Sequence, residues 1–228
     1  MNNTHRPTTE VMALVEGQTE QKFIQFVLSP YLAQRGVYMY AALLRKQGEN
    51  GGDVRFERAI NDIGRHLKQR QDTWVTLMVD YYGLRRGWPG CEQAAQVSTP
   101  EERERIMQRE TARATAKHFP ELDTERRFLP YFSMHEIEAL YFSATDILST
   151  HLCVAQEIFD RILLECGAPE GINSHHETAP SQRLKKLSPR FKKTSTGITV
   201  AKAIGIDAMR AHCPVFNAWV SALESLAK

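Results

Sequence analysis

The chain has 228 residues, of which 42% are hydrophobic and 25% charged, a composition typical of a globular protein with a substantial core. Its 29 basic and 27 acidic residues leave a net charge of +2, too small to predict nucleic-acid binding from bulk electrostatics. No apolar run has the length of a membrane span and the N-terminal segment lacks a signal sequence, so we expect a cytoplasmic protein. Four widely spaced cysteines argue against a disulfide framework or a structural zinc site.

The first 145 residues alternate between strand and helix patterns. Short apolar runs predict strands at residues 11–15, 37–44, 74–79 and 127–133. Helices are predicted after the first strand, over VRFERAINDIGRHLKQR, and from Thr99, where a capping residue is followed by a proline and two acids. This alternation predicts an α/β fold with a four-stranded, mainly parallel sheet flanked by helices.

The remainder of the chain has a different pattern. From residue 146 to the C-terminal stretch VFNAWVSALESLAK, helical periodicity alternates with polar loops. We therefore predict a catalytic α/β domain over residues 1–145 and a helical extension over residues 146–228 that packs on it.

Two of the predicted strands end directly in an acid. The apolar run in LVEG ends at Glu16, and the apolar run in LMVDYYG ends at Asp80. Ligands of open parallel sheets bind outside the carboxyl ends of the strands, so both acids belong to the expected binding edge. Two neighbouring carboxylates would repel each other unless a cation lies between them, and Mg²⁺ prefers such oxygen ligands. Helix capping is the alternative interpretation, and it explains a single acid better than a matched pair.

Several motifs follow one another in a recognisable order. LVEGQTE, LMVDYYG and HEIEAL together resemble the Toprim superfamily, the catalytic domain of topoisomerases, bacterial primases and overcoming-lysogenisation-defect nucleases. With APSQRL at 179–184 and IGIDAMRAHCPVFNAW at 204–219, the chain more closely resembles an uncharacterised bacterial Toprim-like family, a domain of unknown function of about this length. The resemblance covers nearly the whole chain.

The resemblance implies a Toprim-like Rossmannoid fold and a magnesium-dependent nuclease, in which Mn²⁺ can substitute. Glu16 would act in catalysis or bind metal, and Asp80 would coordinate Mg²⁺. Many Toprim proteins have Asp-x-Asp at the later strand, whereas Tyr82 stands at the second acidic position here. Glu138 is the preferred replacement ligand if a helix has begun by His135, and Glu136 if the chain is still extended there.

Two further residues near these motifs have both a structural and a functional interpretation. Glu20 lies in the first turn of the helix after Gly17, where the helix dipole stabilises an acid, and it is equally a candidate to touch the metal. His135 is a candidate to orient a carboxylate or to contact phosphate, or it is a cap or packing residue.

Basic residues provide the candidate nucleic-acid contacts. RLKKLSPRFKK contains no acid and includes Phe191, whose ring could stack on a base. Its basic residues are Arg183, Lys185, Lys186, Arg190, Lys192 and Lys193. Arg85 and Arg86 follow Asp80 and are better placed to meet a phosphate near the metal. A solvated face is the alternative interpretation of such a charge run.

The leading hypothesis is therefore a Toprim-like, Mg²⁺-dependent nuclease that cleaves DNA or RNA. The chain is too short for the additional modules of a topoisomerase or primase. By resemblance, an ABC-type or AAA-type ATPase encoded nearby is the expected partner, and the protein is an effector in bacterial phage defence. The alternative is a catalytically silent Toprim-like module that binds an ATPase or nucleic acid. The oligomeric state stays open.

Overall fold

A computed structural model describes residues 8–45, 55–84, 87–172 and 178–227. Its four strands form one sheet in the order β2-β1-β3-β4, and all three pairs are parallel. The strands are β1 (Thr9–Val15), β2 (Val37–Leu43), β3 (Thr73–Asp80) and β4 (Phe128–Ser133). The predicted α/β fold with a four-stranded sheet is confirmed, and the sheet is wholly rather than mainly parallel.

Helices surround the sheet and make up the C-terminal part, as predicted. The α-helices are α1 (Gln18–Phe23), α2 (Ser29–Ala33), α3 (Phe56–Gln69), α4 (Cys91–Ala94), α5 (Pro100–His118), α6 (Thr124–Arg127), α7 (Thr145–Leu152), α8 (Gln156–Cys166), α9 (Pro180–Leu187), α10 (Ile198–Ile204), α11 (Ile206–His212) and α12 (Pro214–Ser225). Shorter segments are the π-helical Ile24–Leu28 and Lys193–Gly197 and the 3-10 helices Tyr81–Gly83, Ile137–Ser143 and Pro169–Gly171. Among the residues described, none of the helices combines the length and hydrophobicity that a bilayer crossing needs.

Two hydrophobic cores cover the two faces of the sheet. Side chains of a strand alternate between faces, so Val11 and Val15 of β1 lie in one core and Leu14 in the other. The first core also contains Phe23 of α1 and Phe216 of α12, whereas α3 and α5 pack into the second. The C-terminal helices therefore share a core with the first strand, while the boundary at residue 145 stays a prediction.

The C-terminal motif IGIDAMRAHCPVFNAW holds α11 and α12 against the rest of the molecule. Trp219 Nε1 donates a hydrogen bond to Thr76 Oγ1 at 3.0 Å, and its ring stacks on that of Tyr131 with centroids 4.3 Å apart. Arg210 donates to Asn217 Oδ1 at 2.8 Å and to Glu224 Oε1 at 2.7 Å. These contacts give the motif a structural role.

Candidate active site at the carboxyl edge of the sheet

The parallel strands bring most of the predicted acids to one cleft. Glu16 directly follows β1, Asp80 ends β3, and Asp80 is in register with Ser133 at the end of β4. A cleft of about 220 Å³ opens at this edge. Its charged and titratable lining residues are Glu16, Glu20, Asp80, His135, Glu136 and Lys193.

The 3-10 turn after β3 places Asp80 beside Glu16. A methyl group at Gly83 would lie 3.5 Å from Glu16 Oε2 and 3.7 Å from Asp80 Cβ, so both side chains pack against this glycine. Asp80 Oδ1 accepts a hydrogen bond from the Tyr82 backbone N–H at 3.0 Å. The two acids that the sequence analysis paired are therefore neighbours.

Burial and charge act together on Asp80. Burial raises the pKa of Asp80 to about 8, and the charges of Glu16, Glu136 and Glu20 add to this effect. The hydrogen bond from Tyr82 acts in the opposite direction but does not offset the rise. The cleft thus concentrates more negative charge than its own residues balance, a condition that a bound cation would relieve.

The segment after β4 decides between the two glutamates of HEIEAL. Glu136 is still extended (φ −50°, ψ 147°), and a 3-10 helix begins only at Ile137. Glu136 consequently lines the cleft, whereas Glu138 is buried with 0% exposure. This backbone corresponds to the alternative in which the extended chain favours Glu136.

Lys193 enters the site from a distant part of the chain. Its Nζ lies 2.6 Å from Glu136 Oε1 and 3.5 Å from Glu138 Oε2. Burial alone would raise the pKa of Glu136, but Lys193 and the hydrogen bond from the Ser181 backbone N–H outweigh it, and this pKa lies below its usual value. Burial raises the pKa of Glu138 to about 7 despite Lys193. The sequence predicts Lys193 as part of a basic nucleic-acid surface, and no local pattern indicates its place between these acids.

His135 is a neutral, packed imidazole. It is 6% exposed, and burial lowers its pKa to about 4. The ring of Tyr82 stacks on it with centroids 5.3 Å apart and 19° between the planes. Arg103 Nη1 in turn donates a hydrogen bond to the Tyr82 hydroxyl at 3.1 Å. In the sequence, Tyr82 is notable only as the residue at the second acidic position, and no motif indicates Arg103.

The basic stretch lies next to the cleft through helix α9. The Ser181 backbone N–H, in the first turn of α9, donates to Glu136 Oε2 at 2.9 Å. Lys185, Lys186, Arg190 and Lys192 are exposed, whereas Arg183 is half-buried. Their role in nucleic-acid binding stays a prediction.

The predicted nucleic-acid contacts of Phe191 and of Arg85 and Arg86 have different outcomes. Phe191 is 4% exposed and belongs to the first hydrophobic core, so the prediction that its ring stacks on a base is wrong. The hydrophobic effect buries this ring although charged residues surround it in sequence. Arg85 and Arg86 lie outside the described residues.

The donor atoms of the cleft suit a hard divalent cation. Carboxylate oxygens dominate, as Mg²⁺ prefers, and Asp80 and Glu16 adjoin each other. Across the described part of the chain, however, no three His, Cys, Asp or Glu side chains converge as a preformed metal site. Magnesium ordinarily uses one or two carboxylates and completes its shell with water or substrate phosphates, and the Glu16 and Asp80 pair fits that mode.

The fold and the cleft define an α/β protein with an acidic site at the carboxyl edge of a parallel sheet. The family model described as Domain of unknown function (DUF4276) matches residues 15–224, and the chain belongs to this family. Membership of a family of unknown function is thereby confirmed, while the relationship to the Toprim superfamily stays a prediction.

Two solved structures are similar to this chain over most of its length. The C-terminal region of the Xanthomonas campestris pv. campestris OLD protein is 11% identical, with a TM-score of 0.45 and coverage of 96% of this chain and 94% of that chain. The C-terminal region of the Burkholderia pseudomallei OLD protein is 14% identical, with the same TM-score and coverage of 96% and 98%. No curated protein matches the chain.

Proposed function

We propose that the protein is a magnesium-dependent nuclease that cleaves phosphodiester bonds of DNA or RNA. One observation carries the proposal: four carboxylates, those of Glu16, Glu20, Asp80 and Glu136, line one cleft at the carboxyl edge of the sheet. Their mutual repulsion contributes to the pKa of about 8 at Asp80. Such an arrangement lowers stability in the absence of a ligand, and a divalent cation is the ligand that offsets the cost.

Glu16 and Asp80 are the residues that would hold the ion, which would supply an activated water and stabilise charge on the transferring phosphoryl group. Lys193 keeps Glu136 ionised and oriented, because its ammonium and the Ser181 N–H both contact that carboxylate. Lys193 also balances the buried charge of Glu138. The exposed lysines of α9 would guide the polyanion towards this otherwise acidic cleft.

The test is divalent-dependent cleavage by the purified full chain. Labelled single-stranded DNA, duplex DNA and RNA are incubated with Mg²⁺, Mn²⁺ or EDTA. We expect cleavage that EDTA abolishes and that Glu16→Gln or Asp80→Asn reduces at least about 100-fold, since each removes charge stabilisation of the reaction. Glu157→Gln, an exposed glutamate of α8 outside the cleft, is the matched control and should retain full activity.

A second candidate function follows from Tyr82, which stands where an acid would complete a metal site. A catalytically silent module that binds nucleic acid or an ATPase would need no such acid. If no nucleic-acid pool is cleaved with either Mg²⁺ or Mn²⁺, while the chain still binds one of the nucleic acids, the nuclease proposal fails and this alternative replaces it. The ABC-type or AAA-type ATPase partner and the role in phage defence rest on the resemblance and stay predictions.

A further inference from the structure

Tyr82 presents a fixed aromatic surface that stacks on His135, a residue that lines the cleft. Its side chain is 49% exposed, although it stacks on His135 and meets the ring of Tyr81 edge to face at 5.0 Å. Its hydroxyl accepts a hydrogen bond from Arg103. An exposed tyrosine is unremarkable on a surface, but one held at both its ring and its hydroxyl has lost the freedom of an ordinary surface side chain.

The support of this ring is itself anchored in the fold. The guanidinium of Arg103 donates to the backbone carbonyls of Ala94 at 3.2 Å and Val97 at 2.8 Å, and it lies 5.4 Å from the centre of the Tyr81 ring. His135, on which the Tyr82 ring stacks, is itself buried. A planar ring whose rotamer is already fixed gives up little conformational entropy when another ring stacks on it.

The ring is also fixed relative to the acids. The Tyr82 backbone N–H donates to Asp80, only two residues away, and His135 under the ring lines the same cleft as Asp80 and Glu136. A nucleobase on Tyr82 would therefore place its adjoining phosphate beside the carboxylates that would hold the ion.

We propose that Tyr82 stacks an unpaired nucleobase and thereby selects single-stranded nucleic acid for the cleft. The inference rests on the proposed nuclease function, because it specifies the strand that the same site receives. A base in a duplex has both faces covered by its neighbours, so it must leave the stack before it can occupy Tyr82. Stacking on an aromatic side chain tolerates every base, so the selection concerns strandedness and not sequence.

Binding is measured under conditions that separate it from cleavage. Oligonucleotides of about 12 residues, a length within the range that single-strand sites cover, carry 2-aminopurine and are titrated with the full chain in Ca²⁺. Single-stranded DNA, single-stranded RNA and the corresponding duplexes form separate arms, so the sugar preference is read in the same experiment. The variants are Tyr82→Ala, Tyr82→Phe and Tyr82→Trp. Tyr40→Ala is the matched control, because Tyr40 is 53% exposed on β2 and does not line the cleft.

The wild type is expected to bind a single strand at least about tenfold more tightly than a duplex and to quench 2-aminopurine, as base stacking requires. Tyr82→Ala should lose the quenching and most of the preference, whereas Tyr82→Phe, Tyr82→Trp and Tyr40→Ala should keep both. Equal binding of duplex and single strand by the wild type, or an unchanged preference in Tyr82→Ala, overturns the inference.

The two proposals fail in different ways. Stacking through Tyr82 without any metal-dependent cleavage would overturn the nuclease function and leave the single-strand site in place. Cleavage of duplex and single strand alike, insensitive to Tyr82→Ala, would overturn the single-strand inference and leave the nuclease function. Circular dichroism of each variant verifies that loss of binding does not come from unfolding.

Discussion

Asp80 shows how one side chain can serve a ligand at the expense of the unliganded fold. It is held beside Glu16, and burial together with neighbouring charge raises its pKa to about 8. Folding stability therefore falls as the pH rises from the ordinary value of 3.8 towards about 8, and above about 8 the folded state carries the full cost of the charged carboxylate. Strain of this kind is common at sites that bind a charged ligand.

We expect the substitution Asp80→Asn to raise the stability of the unliganded fold while it lowers activity. Asp80→Asn keeps an oxygen to accept the Tyr82 N–H but removes the charge, so in EDTA at about pH 8.5 we expect the free energy of unfolding to rise by about 1 kcal/mol or more. Urea denaturation measures this. Asp146→Asn, an exposed acid in the first turn of α7, serves as the control and should lower stability slightly by weakening the dipole interaction. A destabilised Asp80→Asn protein would contradict the repulsion inferred here.

Lys193 offsets part of the negative charge near the cleft, since its ammonium contacts Glu136 and Glu138. Neither oxygen of Glu138 has a hydrogen-bond partner among the described residues, and the carboxylate is fully buried 3.5 Å from Lys193. Removing the lysine would leave that acid without its cation. A buried charge deprived of its partner is strongly destabilising.

Lys193→Met is therefore expected to lower the free energy of unfolding by roughly 2–4 kcal/mol. The double variant Lys193→Met, Glu138→Gln should recover part of the loss, because position 138 is then uncharged while Glu136 still lacks its ion pair. Urea unfolding of the wild type, both single variants and the double variant completes the cycle. Additive effects in that cycle would show that the pair is not coupled.

At the scale of elements, the start of α12 depends on an acid from another segment. Glu170 accepts hydrogen bonds from the backbone N–H groups of Val215 at 2.9 Å and Phe216 at 2.8 Å. The carboxylate satisfies donors that the first turn of a helix leaves without intrahelical partners. Burial nevertheless raises the pKa of Glu170 to about 7, with these hydrogen bonds acting in the opposite direction.

The direction of the shift fixes a pH dependence. The pKa of Glu170 is higher in the folded state than its ordinary value of 4.5. Its contribution to folding stability is therefore fully present below pH 4.5 and is lost as the pH rises through about 7. Glu170→Gln does not titrate, so its stability should fall less than that of the wild type between about pH 5 and pH 7.5. Thermal unfolding across this range measures both slopes. Identical slopes, or a change also seen with exposed Glu157→Gln, would contradict the assignment.

At the scale of the whole molecule, the sheet depends on the C-terminal helices for one of its faces. Val11 and Val15 of β1 share a core with Phe216 and Trp219 of α12, and Trp219 also hydrogen-bonds Thr76 of β3. Without these helices one face of the sheet would expose large apolar side chains to water. The energetic cost of that exposure scales with the apolar area involved.

The full chain is accordingly expected to unfold in one transition, seen together by far-UV and near-UV circular dichroism. A fragment of residues 1–145 should lack a cooperative transition, because it cannot bury the first core. The intact chain under the same conditions is the control. A fragment that melts cooperatively would show that the α/β part folds alone and that the packing of the extension is dispensable.

Local sequence determined the sheet, the long helices α3 and α5, the helical character of the C-terminal part and the two acids at the strand ends. Apolar runs of strand length and helical periodicity are properties of neighbouring residues, and parallel pairing then fixes Glu16 and Asp80 at one edge. The start of α5 was equally predictable, since Thr99 accepts a hydrogen bond from the Glu102 N–H and Pro100 occupies the first turn.

Tertiary structure alone decided the remainder of the site. Lys193 reaches Glu136 across 57 positions of sequence, and Arg103 reaches Tyr82 across 21, so no local periodicity contains either contact. Whether Glu136 or Glu138 faces the cleft depended on a single turn of backbone after β4. Phe191 follows the same logic, because its burial is set by the core it enters and not by its charged neighbours in sequence. Sequence thus placed the acids at the sheet edge, and packing between distant segments chose which charges and rings surround them.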